Sequence, residues 1–98
     1  MEHDELPLAF SKPLTEVKAI ENSKVVLECE LNKPNPTVKW LKDGQLVKQT
    51  SSIMALADSY VHQLVIVSAT LNDNAEYTCV CGDVSTLATL TVKGKKIM

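Results

Sequence analysis

Asp73-Asn74-Ala75-Glu76-Tyr77-Thr78-Cys79-Val80-Cys81 is the stretch on which the fold turns. From Ala75 onward apolar residues alternate with polar or outward ones, the period of a strand with one face on a core and the other in water. Tyr77, Cys79 and Cys81 share the inner parity, and Gly82-Asp83 then turns the chain into Thr86–Val92, a second run with the same period. Working back, Val25-Val26-Leu27-Glu28-Cys29-Glu30-Leu31 is apolar at every odd position, with Glu28 and Glu30 facing away. Thr37–Lys42 places Val38 and Trp40 inward, and Asp43-Gly44 supplies a tight turn into Gln45-Leu46-Val47. Tyr60–Val67 is a β-branched run with Leu64 and Ile66 inward, and His62 shares their parity. Leu8–Ser11 and Leu14–Ile20 complete the set, split by Pro13, which lacks a backbone donor and belongs at an edge or a break. No strand is assigned between Val47 and Tyr60. Eight or nine short strands at this spacing, without helical periodicity, predict an all-β antiparallel sandwich with Greek-key connections.

Composition agrees with one small folded unit. The chain has 98 residues, 45% hydrophobic and 22% charged, which suits a single core and excludes a disordered tail. Residues 1–6 and 94–98 lack alternation and read as linkers or chain ends around a domain spanning 7–93. No apolar run approaches the roughly 20 residues of a membrane-spanning helix. The acidic start, Met1-Glu2-His3-Asp4-Glu5, does not resemble a secretory leader. All ten positive charges are lysine, against twelve acidic residues, so nucleic acid is not an expected partner, and without a spanning run neither is a membrane.

Trp40 follows Cys29 by eleven residues and Cys79 follows it by fifty. In a two-sheet sandwich this order sets one sulfur on each sheet with the indole packed against both, and Tyr77 stands two residues before the second cysteine, where a tyrosine corner forms. Asp73 is expected to stabilise the loop leading into that strand. On these residues the chain resembles the I-set immunoglobulin domains of giant muscle proteins of the titin and obscurin type. The likeness runs through Phe10-x-x-Pro13-Leu14, Val26–Glu30, Val38–Gly44, Leu64-Val65-Ile66, Asp73-x-Ala75-x-Tyr77-x-Cys79 and Ala88–Val92. Domains of myosin-binding protein C and palladin type share much of it. Asn22 stands where family members usually carry glycine before the second strand, and Asn tolerates the left-handed backbone needed there.

The resemblance implies a structural repeat of a cytoplasmic, sarcomeric protein, flanked by further immunoglobulin or fibronectin-type domains and contacting other sarcomeric proteins. It also implies that Leu14–Ile20 pairs in parallel with Thr86–Val92. An interaction domain of a sarcomeric or cytoskeletal scaffold is the competing reading, and an extracellular adhesion module a third. The third gains nothing from glycosylation signals: no Asn-x-Ser/Thr acceptor occurs, Asn35-Pro36-Thr37 failing because proline fills its middle.

Three cysteines remain. Cys29 and Cys79 form either a disulfide or a pair of buried thiols, the latter being expected in a reducing cytosol. Cys81 reads either as a small buried hydrophobe or as a competitor of Cys79 for Cys29 under oxidation. Metal binding is not expected, because Cys79-x-Cys81 with His3 and His62 lacks zinc-ligand spacing. His62 is expected to be packed and hydrogen-bonded. No nucleophile elbow, phosphate loop or Cys/His pairing for catalysis occurs, so neither enzymatic activity nor a cofactor is expected. Leu41, Val80 and Leu87 fall on the solvent parity of their strands, a candidate partner surface, as do Val65 and Val67 on the opposite sheet. Lys39, Lys42 and Lys48 read as a solvated face.

Overall fold

The computed structural model describes residues 7–95. Nine strands and one short 3₁₀ turn follow in order: β1 Phe10–Lys12, β2 Val17–Ile20, β3 Val25–Leu31, β4 Lys39–Lys42, β5 Gln45–Leu46, β6 Ile53–Asp58, β7 Val61–Ile66, the turn Leu71–Asp73, β8 Ala75–Cys81 and β9 Val84–Lys93. They form two sheets, one ordered β1-β3-β7-β6 and the other β2-β9-β8-β4-β5. All pairings are antiparallel except β2 with β9, which run parallel from Val17 opposite Leu90 to Ile20 opposite Lys93. The strands expected at Leu14–Ile20 and Thr37–Lys42 are shorter than their apolar runs: Leu14 is buried but lies outside any strand, its N–H donating to Thr86 Oγ1 at 3.1 Å.

Alternation builds the core directly. In β3, Val25, Leu27, Cys29 and Leu31 are buried; in β8, Tyr77, Cys79 and Cys81 are; Trp40, Leu64, Ile66, Leu90 and Val92 meet them from the other strands. The turns use residues that tolerate left-handed backbone. Asp43 and Gly44 have φ of 50° and 85° between β4 and β5, a mirror-image hairpin turn, and Asn22 has φ 75° before β3.

The strand reading differs from the structure at two places. β6 has no counterpart in it, because Ile53-Met54-Ala55-Leu56-Ala57 is apolar on both parities and shows no alternation. Val65 was placed on the solvent face, and it does point outward, yet it is only 4% exposed. Its register neighbours Val26 and Met54, on the strands flanking β7, close over it. A residue in the middle of a sheet is covered from both sides by such cross-strand pairs. Val67, by contrast, is exposed. Residues 1–6 and most of 94–98, read as linkers, lie outside the described region.

Candidate functional site

β3 and β8 carry one cysteine each to the middle of the sandwich. Cys29 and Cys79 are fully buried and reduced, and lie near enough across the two sheets to shift each other's acidity. This proximity splits the pair. Interaction with Cys79 pulls the Cys29 thiol below its ordinary value, while interaction with Cys29, reinforced by burial, holds Cys79 above its own. Cys81, two residues further along β8, faces the same way, is also buried and reduced, and lies close enough for its charge to raise Cys79 further. The structure thus turns all three cysteines inward, Cys29 from one sheet and Cys79 and Cys81 from the other, and seals them from solvent. Such burial makes them slow to react in the native state, whatever their acidity.

Around the sulfurs stand the other residues singled out by spacing. Trp40 is paired in register with Cys79 and is 4% exposed, and Leu64 is fully buried on β7. Tyr77 Oη donates to the main-chain carbonyl of Asp73 at 2.8 Å, tying the start of β8 to the 3₁₀ turn before it. Burial, with the Asp73 and Asp43 charges nearby, pushes the Tyr77 hydroxyl above its ordinary range, so it stays a donor at any physiological pH. The Asp73 carboxylate accepts from the Thr70 N–H at 2.7 Å and from Thr70 Oγ1 at 3.2 Å, closing the turn. All of its partners belong to the loop.

His62 departs from expectation. It is packed as its parity implied, 1% exposed beside Cys29 in register, but neither ring nitrogen has a hydrogen-bond partner among the described residues. Parity fixes which way a side chain points and carries no information on what waits there. Desolvation lowers its pKa below the ordinary histidine value, so the ring is neutral in the fold. The Trp40 Nε1–H is likewise unpaired.

On the outer face of the five-stranded sheet, Leu46, Leu41, Thr78 and Leu87 lie in one register row across β5, β4, β8 and β9. Leu46 is 64% and Leu87 53% exposed, whereas Leu41 and Val80 are half-buried. Lys39 and Lys48 are solvated. Lys42 is not simply a surface charge, since its Nζ donates to the Asn72 carbonyl at 2.7 Å and links β4 to the 3₁₀ turn; the sequence held no signal for that contact. Surface hollows of about 280, 170 and 170 Å³ are open and small beside the roughly 300–1,000 Å³ of small-molecule pockets. Among the described residues no cluster of three His, Cys, Asp or Glu is placed to hold a metal ion, and no helix is long and apolar enough to cross a membrane.

The two-sheet order, the Cys29–Trp40–Cys79 core and the Tyr77 corner coincide with a family model, that of the immunoglobulin I-set domain, which matches residues 8–92. The chain belongs to the immunoglobulin I-set family. Similar proteins include titin of Drosophila melanogaster, 34% identical over 89 residues, and mouse hemicentin-1, 44% identical over 72 residues. These alignments cover 91% and 72% of this chain but only 0% and 1% of the relatives, to the nearest per cent. The I-set domain therefore spans a minute part of the curated relatives it matches. Among solved structures, the crystal structure of domain I10 from titin superposes with a TM-score of 0.87 at 32% identity, over 90% of this chain and all of that one.

Proposed function

We propose that this I-set domain is a load-bearing structural module in a tandem array of a giant, cytoplasmic muscle protein, serving sarcomere assembly and elasticity, and that it performs no catalysis itself. The observation that carries the reading is the parallel β2–β9 pairing. β2 lies near the start of the domain and β9 ends it, so tension applied through the two ends runs along both strands in opposite senses. Their hydrogen bonds are then loaded together in shear, where an antiparallel hairpin pulled from its open end would lose them one at a time. Glu21 N–H donates to the Lys93 carbonyl at 2.8 Å, and Ala19, two residues earlier, points its backbone groups the same way. Some 85 unfolded residues stretch to roughly 300 Å, so one opening event releases a large length. The likeness to titin domains supports the sarcomeric assignment.

The three cysteines add a redox setting to this reading. A two-electron oxidant such as oxidised glutathione would take the two thiol protons and two electrons from Cys29 and Cys79, joining the sulfurs and leaving two reduced glutathione molecules. The bond would hold about 50 residues out of the extension and shorten the release by roughly 170 Å. Cys81 would compete for Cys29 once the core opens. The decisive experiment is single-molecule pulling through the termini. Ala19→Pro removes a β2–β9 donor and should lower the unfolding force; an unchanged force would overturn the reading.

A second reading, an interaction domain of a scaffold protein, is favoured by the exposed Leu46–Leu41–Thr78–Leu87 row with Val80 beside it. Neighbouring domains or other sarcomeric proteins are the candidate partners. Leu87→Lys should weaken such docking while leaving the fold intact.

A further inference from the structure

The four sheet edges are not equally protected. β1 is three residues long, ends in Lys12 and is followed by Pro13; β2 carries Lys18 in four residues; β5 is two residues between Lys42 and Lys48. Short length, lysine and proline are the usual means of keeping an edge from pairing with another chain. β6 has none of them. It runs six residues, with Ser51-Ser52 before it and no charge until Asp58, and its far side meets no strand among the described residues.

What covers β6 is a short stretch of its own loop. Ser52 gives its carbonyl to Val67 N–H, so by alternation Ile53, Ala55 and Ala57 aim their backbone groups away from β7. Thr50 meets Ile53, its N–H reaching the Ile53 carbonyl at 2.9 Å and its Oγ1 accepting from Ile53 N–H at 3.2 Å. The Gln49 side-chain carbonyl accepts from Ala55 N–H at 3.0 Å, in the manner of a neighbouring strand. There the cover stops. The Ala55 carbonyl and both backbone groups of Ala57 have no partner among the described residues.

We propose that this open half-edge pairs with the same edge of a second copy of the chain, antiparallel about a two-fold axis through Leu56. In that register Ala57 N–H meets the Ala55 carbonyl of the other copy, twice, because the row of acceptor and donor is self-complementary. Release of Gln49 from Ala55 N–H adds two further bonds to the Ala57 carbonyls. On the outer face Leu56, 49% exposed, meets its own counterpart. Met54, 36% exposed, falls opposite Asp58 of the other copy, over the hollow of about 280 Å³ lined by Leu56, Ala57, Asp58, Val61 and Gln63. An unbranched methionine side chain suits such an open hollow. The two Asp58 carboxylates stay four residues apart along the strand, about 14 Å, beyond the Debye length in physiological salt. Gln49 acts as the guard of the edge, competing with the second copy for Ala55 N–H.

The test is sedimentation velocity of the chain from micromolar to millimolar concentration in reducing buffer, which excludes intermolecular disulfides. The wild type should shift from monomer to dimer as concentration rises. Gln49→Ala should tighten the dimer about tenfold, since two capping bonds no longer have to break. Ala57→Pro should abolish it; the Ala57 N–H faces away from β7, so no ladder bond is lost. Leu56→Lys, at an exposed position, should abolish it independently by setting like charges across the axis. A monomer at every concentration for both wild type and Gln49→Ala would overturn the proposal. So would a dimer indifferent to Ala57→Pro and Leu56→Lys.

Discussion

Replacing His62 by leucine should make this domain more stable, against the usual direction for a change at a fully buried position. The ring is 1% exposed and neither nitrogen is hydrogen-bonded among the described residues. A buried polar group without a partner costs about 1–3 kcal/mol relative to an apolar one. Leucine is of similar volume, and the loss from imperfect shape should stay below about 1.5 kcal/mol. The net expectation is a gain of about 1–2 kcal/mol near neutral pH, or a rise in melting temperature of about 4–8 °C per kcal/mol for a domain of this size. The pH dependence gives a second, sharper signature. Burial lowers the folded-state pKa of His62 below its ordinary 6.5. Below that value the unfolded chain takes up a proton that the native ring refuses, so wild-type stability falls as pH drops. The slope is at most about 1.4 kcal/mol per pH unit, or as much as about 2 kcal/mol between pH 7.5 and 5. His62→Leu removes this component, and its advantage over wild type should therefore widen with acid. Urea denaturation followed by Trp40 fluorescence at pH 7.5 and pH 5 reads both effects. A variant less stable than wild type, or an advantage constant across that range, would refute the reasoning and imply a partner for the ring.

Tyr77→Phe removes the hydroxyl that donates to the Asp73 carbonyl and leaves that acceptor unpaired; equilibrium denaturation should show a loss of about 1–3 kcal/mol. Incubation with oxidised glutathione under conditions that let the core open should consume two of the three thiols, with peptide mapping locating a Cys29–Cys79 bond. Closing that loop of about 50 residues should add roughly 4 kcal/mol of stability. Gly44→Ala imposes a Cβ on a residue at φ 85°, where nothing crowds it but the backbone is unfavourable; the expected cost is about 1–2 kcal/mol, read from thermal melts.

The legible part of this fold is the part that buries one face only. In β3 and β8 a hydrophobic core on one side and water on the other force strict alternation, and the cysteines, Trp40 and Tyr77 are placed by counting. Where both faces are apolar the period vanishes. β6 is invisible for that reason, with Met54 and Leu56 facing out while Ile53 and Ala55 pack inward. Val65 escapes the pattern by a related effect, as parity assigns a face and carries no sign that Val26 and Met54 close over it. The parallel partner of β2 left no periodic trace either, since four residues carry too little pattern; resemblance to the family supplied that pairing. Hydrogen-bond partners lay furthest from reach. Nothing in the spacing of His62 distinguishes a satisfied ring from an orphaned one, and nothing around Gln49 marks it as the cap of Ala55. Such contacts are set by loop paths, and loop paths depend on the whole fold.

On the proposed function, resistance to force resides in the β2–β9 pairing and is separate from the stability of the core. Single-molecule pulling through the termini, comparing Ala19→Pro with Tyr77→Phe, tests it most directly. Both variants should lower equilibrium stability, but only Ala19→Pro should lower the unfolding force. Equal loss of force in the two, or loss in Tyr77→Phe alone, would contradict the claim.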